Sequence, residues 1–308
     1  MINARVRLHL LFLSVLVVTV SSVAWAQWPD YPTRGVPKLK DGKPDLNAPV
    51  PRTADGKPDL TGLWEARGGG GGGGQRGGAA AGAAAGAAGG TAAAPPPNAT
   101  PNAQPEALPN ATIGPPLATF FNVGAGFKEG LPFTPWAADL RKKRESTNAK
   151  DNPDAHCLPI GLMQLHLHPQ PRKIIQTPDV VVIMYEAQGE VRQIFTDGRS
   201  LPNNDPQPWW RGYSVGRWDG DTLVVETAGF RDDVWLDVNG SPLTTTGKIT
   251  ERFRRLNYGN LEIVITIEDP KSYTKPFTVK VNQRIMLDTD LFEFVCNENE
   301  KSSQHYDK

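Results

Sequence analysis

The chain has 308 residues, 39% of them apolar, with two cysteines and with Lys+Arg and Asp+Glu balanced at 33 each. Its first half is too poor in large apolar side chains for a core of its own, so one folded domain is expected. Without Arg5 and Arg7 of the leader described next, the balance is 31 against 33, about −2, which excludes the basic excess that nucleic acid or an anionic membrane surface demands.

Residues 1–26 have the form of a secretory signal: Arg5 and Arg7, then an apolar run from Leu10 to Val20, then Ala24-Trp25-Ala26 as an A-x-A cleavage site. They predict export to the periplasm or beyond. No later stretch approaches the roughly 20 apolar residues of a membrane helix, so no span is expected after cleavage. No cysteine stands at the cleavage site to carry a lipid anchor.

Residues 27–67 read as an extended arm and a first strand. Asp41-Gly-Lys-Pro-Asp-Leu46 recurs as Asp55-Gly-Lys-Pro-Asp-Leu60, too short for a solenoid unit, and both copies predict surface turns. Thr61-Gly-Leu-Trp64 is the first plausible strand, and its G-x-W form resembles the opening of lipocalin-like barrels. Residues 68–116 are a Gly/Ala tract followed by a Pro/Asn/Ala tract, with too few large side chains to offset the cost of ordering the backbone, and predict a disordered insertion. No strand, helix or following Lys-Ser/Thr supports a phosphate loop there.

Residues 117–308 are expected to form the β-barrel domain. One short helix is predicted near 136–147, begun by Pro135, with Trp136, Ala137 and Leu140 sharing a face and Arg141 to Arg144 at its C-terminal end. Met163-Gln-Leu-His-Leu-His168 alternates, which predicts a half-exposed edge strand with Gln164, His166 and His168 on one face. His166 and His168 are a candidate metal pair, but no third or fourth ligand stands at a suggestive spacing, so no metal site is expected.

Nine strand candidates follow: Lys173 to Thr177, Val180 to Glu186, Val191 to Thr196, Gly212 to Trp218, Thr222 to Thr227, Lys248 to Leu256, Leu261 to Glu268, Phe277 to Met286 and Phe292 to Cys296. Asp219-Gly-Asp221 supplies the positive φ of a tight hairpin between the fourth and fifth. Short strands in regular succession predict an all-β fold, an antiparallel meander closing into a lipocalin-like, calycin barrel, since closure removes the exposed edges. Cys157 and Cys296 are expected to pair as a disulfide in an oxidising compartment.

Ile174-Ile-Gln-Thr-Pro178, Ile194-Phe-Thr-Asp-Gly-Arg199, Gly212-Tyr-Ser-Val-Gly-Arg-Trp-Asp-Gly-Asp-Thr-Leu-Val-Val-Glu-Thr-Ala-Gly-Phe230, Thr250-Glu-Arg-Phe253 and Tyr273-Thr-Lys-Pro-Phe277 resemble an uncharacterised family of exported bacterial proteins, abundant in acidobacteria. Asp55-Gly-Lys-Pro-Asp-Leu-Thr-Gly-Leu-Trp64 and Cys157-Leu-Pro159 match it too, so the resemblance spans most of the mature chain outside the insertion. It implies export and a β-rich fold, and no activity. The family pattern often has His after Asp-Gly-Arg and before Thr-Glu-Arg-Phe; here Ser200-Leu201 and Ser241 to Gly247 stand in those places.

Ile249, Glu251, Phe253 and Arg255 alternate onto one face of their strand, so Glu251 shares a face with large apolar residues and needs a partner, with Arg217, Arg252 or Arg254 as candidates. Glu251 and Asp197 are the candidate acid/base residues. Trp209, Trp210, Tyr213, Trp218 and Trp235 are candidate walls for a ligand, with Arg199, Asp197 and Asp237 as orienting groups. No G-x-S-x-G, H-E-x-x-H, Walker A or C-x-x-C pattern occurs, and no cofactor is implied. The first expected function is binding of a small hydrophobic or aromatic molecule in the barrel. The second is a cofactor-independent hydrolase, lyase or cyclase in the same cavity, and the third an envelope protein with a filled barrel.

Overall fold

The computed structural model describes residues 31–67, 114–202 and 207–298; the expected leader, residues 1–26, and nearly all of the insertion expected to be disordered lie outside them. Among the described residues there are eleven strands. They are β1 (Gly62–Arg67), β2 (Arg172–Gln176), β3 (Val180–Tyr185), β4 (Val191–Phe195), β5 (Tyr213–Asp219), β6 (Thr222–Ala228), β7 (Val234–Trp235), β8 (Pro242–Leu243), β9 (Lys248–Asn257), β10 (Asn260–Glu268) and β11 (Phe277–Met286). Nine of them close a barrel in the order β1-β11-β10-β9-β6-β5-β4-β3-β2, and β7 and β8 form a separate pair. The fold is the all-β barrel of calycin type that the strand succession predicts.

Period-two alternation decides which side chains enter the barrel. On β9, Ile249, Glu251, Phe253 and Arg255 are buried, while Arg252 and Arg254 point outward. On β10 the inward set is Leu261, Ile263, Ile265 and Ile267. The long hairpin of β9 and β10 is in register from Leu261↔Arg255 to Glu268↔Lys248, with a one-residue shift at Asn260↔Asn257, and β10 and β11 pair from Asn260↔Arg284 to Ile267↔Phe277. Trp64 of β1 is fully buried; closing over a side chain of that kind contributes roughly 1.5–3 kcal/mol.

Three strand expectations need correction, two of them in the barrel itself. Phe292 to Cys296 is not a strand. The edge of β11 it would have joined is taken by β1, which pairs with β11 on one side and β2 on the other, and the segment is held instead by Lys173–Asp290, by the Phe292 N–H on Glu186, and by the disulfide. The barrel is also not wholly antiparallel: β4 and β5 run parallel, joined at Ile194↔Ser214 and Phe195↔Val215.

Helix α1 (Pro135–Ser146) is the predicted helix, with Thr134 as its N-cap, Pro135 at its start and Lys143 and Arg144 in its last turn. The segment predicted as an edge strand is instead a six-residue helix, α2 (Leu162–Leu167), all of it buried. Alternation fails as a guide there because the helix is enclosed on every side, so polar and apolar positions alike are inside. Gly161 caps it against β7, where a Cβ would meet the Trp235 carbonyl oxygen at 2.6 Å.

The two ends of the barrel are closed differently. At the far end of β9 the arm wraps the β9–β10 turn, where the Tyr258 and Gly259 amides donate to Ala48 and Leu46. Its repeated hexapeptides fold alike: Asp45 N donates to Pro37 O as Asp59 N donates to Pro51 O, and Gly42 and Gly56 take positive φ of 83° and 80°. At the other end lies α2, its His166 carbonyl accepting from Arg172 of β2 at 2.7 Å and from Gln283 of β11 at 3.5 Å. Cys157, just before α2, is bonded to Cys296, which ties this end to the C-terminal segment.

Candidate functional site

The interior beneath α2 holds a charged cluster drawn from five elements. Glu251 of β9 lies between Arg192 of β4 and His166 of α2, and Ser214 of β5 and Thr227 of β6 complete the group. None of the five, nor Tyr185 at the end of β3, is more than 3% exposed. Arg192 donates through Nη1 to Glu251 Oε1 at 3.0 Å, and through Nη2 to Glu251 Oε2 and to Thr227 Oγ1. Its Nε donates to Ser214 Oγ at 3.2 Å, and the Ser214 and Thr227 hydroxyls lie 3.0 Å apart. A fork of this kind fixes both carboxylate oxygens, as a buried charge pair requires.

His166 Nε2 lies 2.7 Å from Glu251 Oε1. Burial alone would raise the Glu251 pKa, but the Arg192 charge and the His166 hydrogen bond outweigh it and hold it at about 2, so the carboxylate accepts only. Nε2 therefore carries the proton and donates. The Arg192 Nη1 contact with the same nitrogen at 3.4 Å is then the approach of two donors. Burial lowers the His166 pKa, against the pull of Glu251, and leaves the ring neutral with Nδ1 as a free lone pair.

His166 Nδ1 is buried and has no hydrogen-bond partner. The same is true of the Tyr185 hydroxyl, Gln164 Nε2, Gln283 Oε1 and Arg172 Nε. The His166 ring stands edge-on to Tyr185 and Phe253, with centroids 6.1 and 5.9 Å away. Burial raises the Tyr185 pKa; Arg192 is near enough to oppose this without forming a well-aligned hydrogen bond, so the phenol keeps its proton as a donor. An oriented base nitrogen and a phenolic donor thus lie in one buried ring cluster with Phe253, and unpaired buried polar atoms of this kind are uncommon in folded proteins.

Of the candidate residues, Glu251 is central to this cluster, His166 is beside it, and the rest are elsewhere. Its partners are not Arg217, Arg252 or Arg254, whose side chains lie outside and pair with Glu226, Asp219 and Glu262. His166 is in the cluster as a partner of Glu251, whereas His168 lies past the end of α2 beside Asp154 at 3.8 Å and edge-on to Phe120. The helical backbone separates the two histidines, and among the described residues no group of three or more metal-ligating side chains converges.

Asp197 is exposed and forked to Arg199, so it is not brought to Glu251. Arg199 lies over the Phe195 ring at 3.9 Å, Phe195 stacks on Tyr213 at 5.3 Å, and Trp209 leans on Tyr213 at 5.3 Å, an aromatic ladder on the outer wall. Trp210 is half-buried beneath Arg231, and Trp218 is half-buried against the core. Trp235 is buried under Arg144, 4.3 Å from its ring. Asp237 is buried and accepts from the Val123 and Ser241 amides and the Ser241 hydroxyl; burial raises its pKa against those bonds. Its place is a loop anchor.

Sequence reasoning missed Arg192 and Tyr185, although the rule that selected Glu251 reaches both. Arg192 has the parity of Ile194 on β4, and Tyr185 that of Val181 and Ile183 on β3. Ser214 and Thr227 become legible only through the register Ser214↔Thr227. The chain matches no protein-family model, no curated protein and no solved structure.

Proposed function

We propose that this is an exported protein whose barrel takes up a small molecule with an apolar or aromatic body and one polar end, the polar end lying against His166 and Tyr185. The observation that carries the reading is the pair of buried, unpartnered atoms, His166 Nδ1 and the Tyr185 hydroxyl, on side chains in ring contact. A buried polar group without a partner costs about 1–3 kcal/mol, which a ligand offering both a donor and an acceptor recovers. The leader at residues 1–26 supports export, as do the motifs shared with exported bacterial proteins.

Native mass spectrometry of the mature chain tests the binding. A stoichiometric adduct is expected, kept by Trp209→Ala on the outer wall and weakened by Tyr185→Phe and His166→Gln. An adduct unchanged by both interior substitutions would sink the reading. A filled, structural barrel is the competing account, favoured by the near-complete burial of the charged cluster; a chain that carries no adduct and binds no aromatic carbonyl compound supports that account instead.

A further inference from the structure

We propose that the His166 site is catalytic and moves a proton at carbon: His166 Nδ1 removes a proton from the carbon next to a ketone or aldehyde carbonyl while the Tyr185 hydroxyl donates to the carbonyl oxygen. The inference rests on the binding reading above and gives its ligand a chemical class, an aromatic or apolar carbonyl compound with an acidic C–H.

Three features of the geometry carry it. First, the base is built as a dyad. Glu251 Oε1 at 2.7 Å fixes which nitrogen of His166 bears the proton, turns the other into a lone pair, and stands ready to stabilise the imidazolium that forms. Second, the lone pair is unused: Nδ1 is fully enclosed yet bonded to nothing. A merely structural histidine at a carboxylate ordinarily satisfies both nitrogens. Third, a donor stands beside the base. Tyr185, also unpartnered, lies next to Arg192, so negative charge arriving on an oxygen at its hydroxyl meets a phenolic proton backed by a guanidinium.

The step balances without a co-reactant. The C–H bond breaks and its electron pair becomes the new C=C bond; the carbonyl π pair moves to oxygen, where the Tyr185 hydroxyl hydrogen-bonds it; the proton sits on Nδ1. Return of that proton to the same carbon racemises or exchanges it, and return to a conjugated carbon isomerises the double bond. Glu251 and Arg192 touch none of the reacting atoms and are positioning residues. The charged and titratable groups around His166 are Glu251 from β9, Arg192 from β4, Tyr185 from β3 and Arg172 from β2.

The probe is phenylacetone in buffered D2O, with the full mature chain in catalytic amount. Loss of the benzylic proton signal is followed by NMR, and binding of the same ketone by saturation transfer. Expected are saturation transfer together with exchange above the buffer rate, slowed roughly 10²-fold in His166→Gln, the low end of what a general base contributes. Tyr185→Phe, which removes no hydrogen bond of good geometry and so should fold, is expected to slow exchange at least about tenfold while still binding. The exchange rate should fall only at pH below the ordinary histidine value, and Glu251→Gln, by removing the group that favours the imidazolium, should move that fall to lower pH still; a purely structural Glu251 would leave it in place. Binding without exchange, or exchange indifferent to His166→Gln and Tyr185→Phe, overturns the catalytic inference and leaves the binding reading intact. Absence of both binding and exchange overturns the binding reading and the catalysis that rests on it.

Discussion

Both ends of the barrel bury arginine, at the helix end Arg172 on backbone carbonyls as well as Arg192, and Arg255 and Arg192 are used differently. At the arm end, Arg255 spends its donors on backbone carbonyls, those of Tyr258, Asn257 and Asp59, and its guanidinium lies 5.0 Å from the Trp64 ring, while the Trp64 indole N–H donates to Leu60. That end is a finished closure. At the helix end, Arg192 faces a carboxylate and two hydroxyls, and around it stand the unpartnered His166 Nδ1 and Tyr185 hydroxyl. The difference separates structure from site. A guanidinium paired with carbonyls stabilises a chain crossing and orders the turn; one paired with a carboxylate that also holds a histidine sets the protonation of a third group.

The contrast is broken most severely by Arg192→Met. It leaves Glu251 charged, buried and without its main partner, and is expected to cost about 3–5 kcal/mol in urea unfolding, whereas Arg192→Met with Glu251→Met should recover most of the loss. Full stability in the single variant would remove the charge pair from its central role.

Acid should act next, and most strongly through the helix end. The Glu251 pKa is held at about 2 against an ordinary 4.5, so the stability it contributes is complete above 4.5 and lost as pH falls toward 2, on the order of 3 kcal/mol. The His166 pKa is lowered below 6.5, so its unfolded form binds the proton first and stability begins to decline already below 6.5. Urea midpoints from pH 8 to 3 should therefore fall in two stages in the wild type; in His166→Gln the upper stage should vanish.

At the arm end, Arg255→Met strips carbonyls of their donors without leaving a charge behind, so a loss of about 1–3 kcal/mol is expected, with no change in pH dependence. A pH profile altered as in His166→Gln would erase the distinction between the ends. The smallest effect belongs to Tyr185→Phe. Deleting a hydroxyl that bonds to nothing should shift stability by less than about 0.5 kcal/mol or raise it slightly, while binding and exchange at His166 suffer. A loss of several kcal/mol would mean that the hydroxyl is part of the structural network.

Some of this was legible in the residues themselves. Alternation on β9 marked Glu251 as inward, Asp219-Gly-Asp221 marked the β5–β6 hairpin, and Pro135 with the basic run after it marked α1. The strand succession implied a barrel, and two cysteines in a chain expected to be exported implied the disulfide. Those are properties of short windows, where side-chain period, turn geometry and capping act on neighbouring residues and leave a pattern in the string.

What the tertiary structure alone decided are the partnerships. His166 reads as a strand residue because Leu and His alternate, yet the segment is a helix, since a stretch buried on all sides obeys its surroundings and not its period. Arg192, 59 positions from Glu251, meets it because β4, β5, β6 and β9 are adjacent in the closed sheet. Phe292 to Cys296 had the composition of a strand and found no free edge, because β1, from before the insertion, had already closed the barrel. Local chemistry set which residues face inward, and closure of the barrel set which of them meet, because contact between distant strands depends on sheet order, which no window of sequence contains.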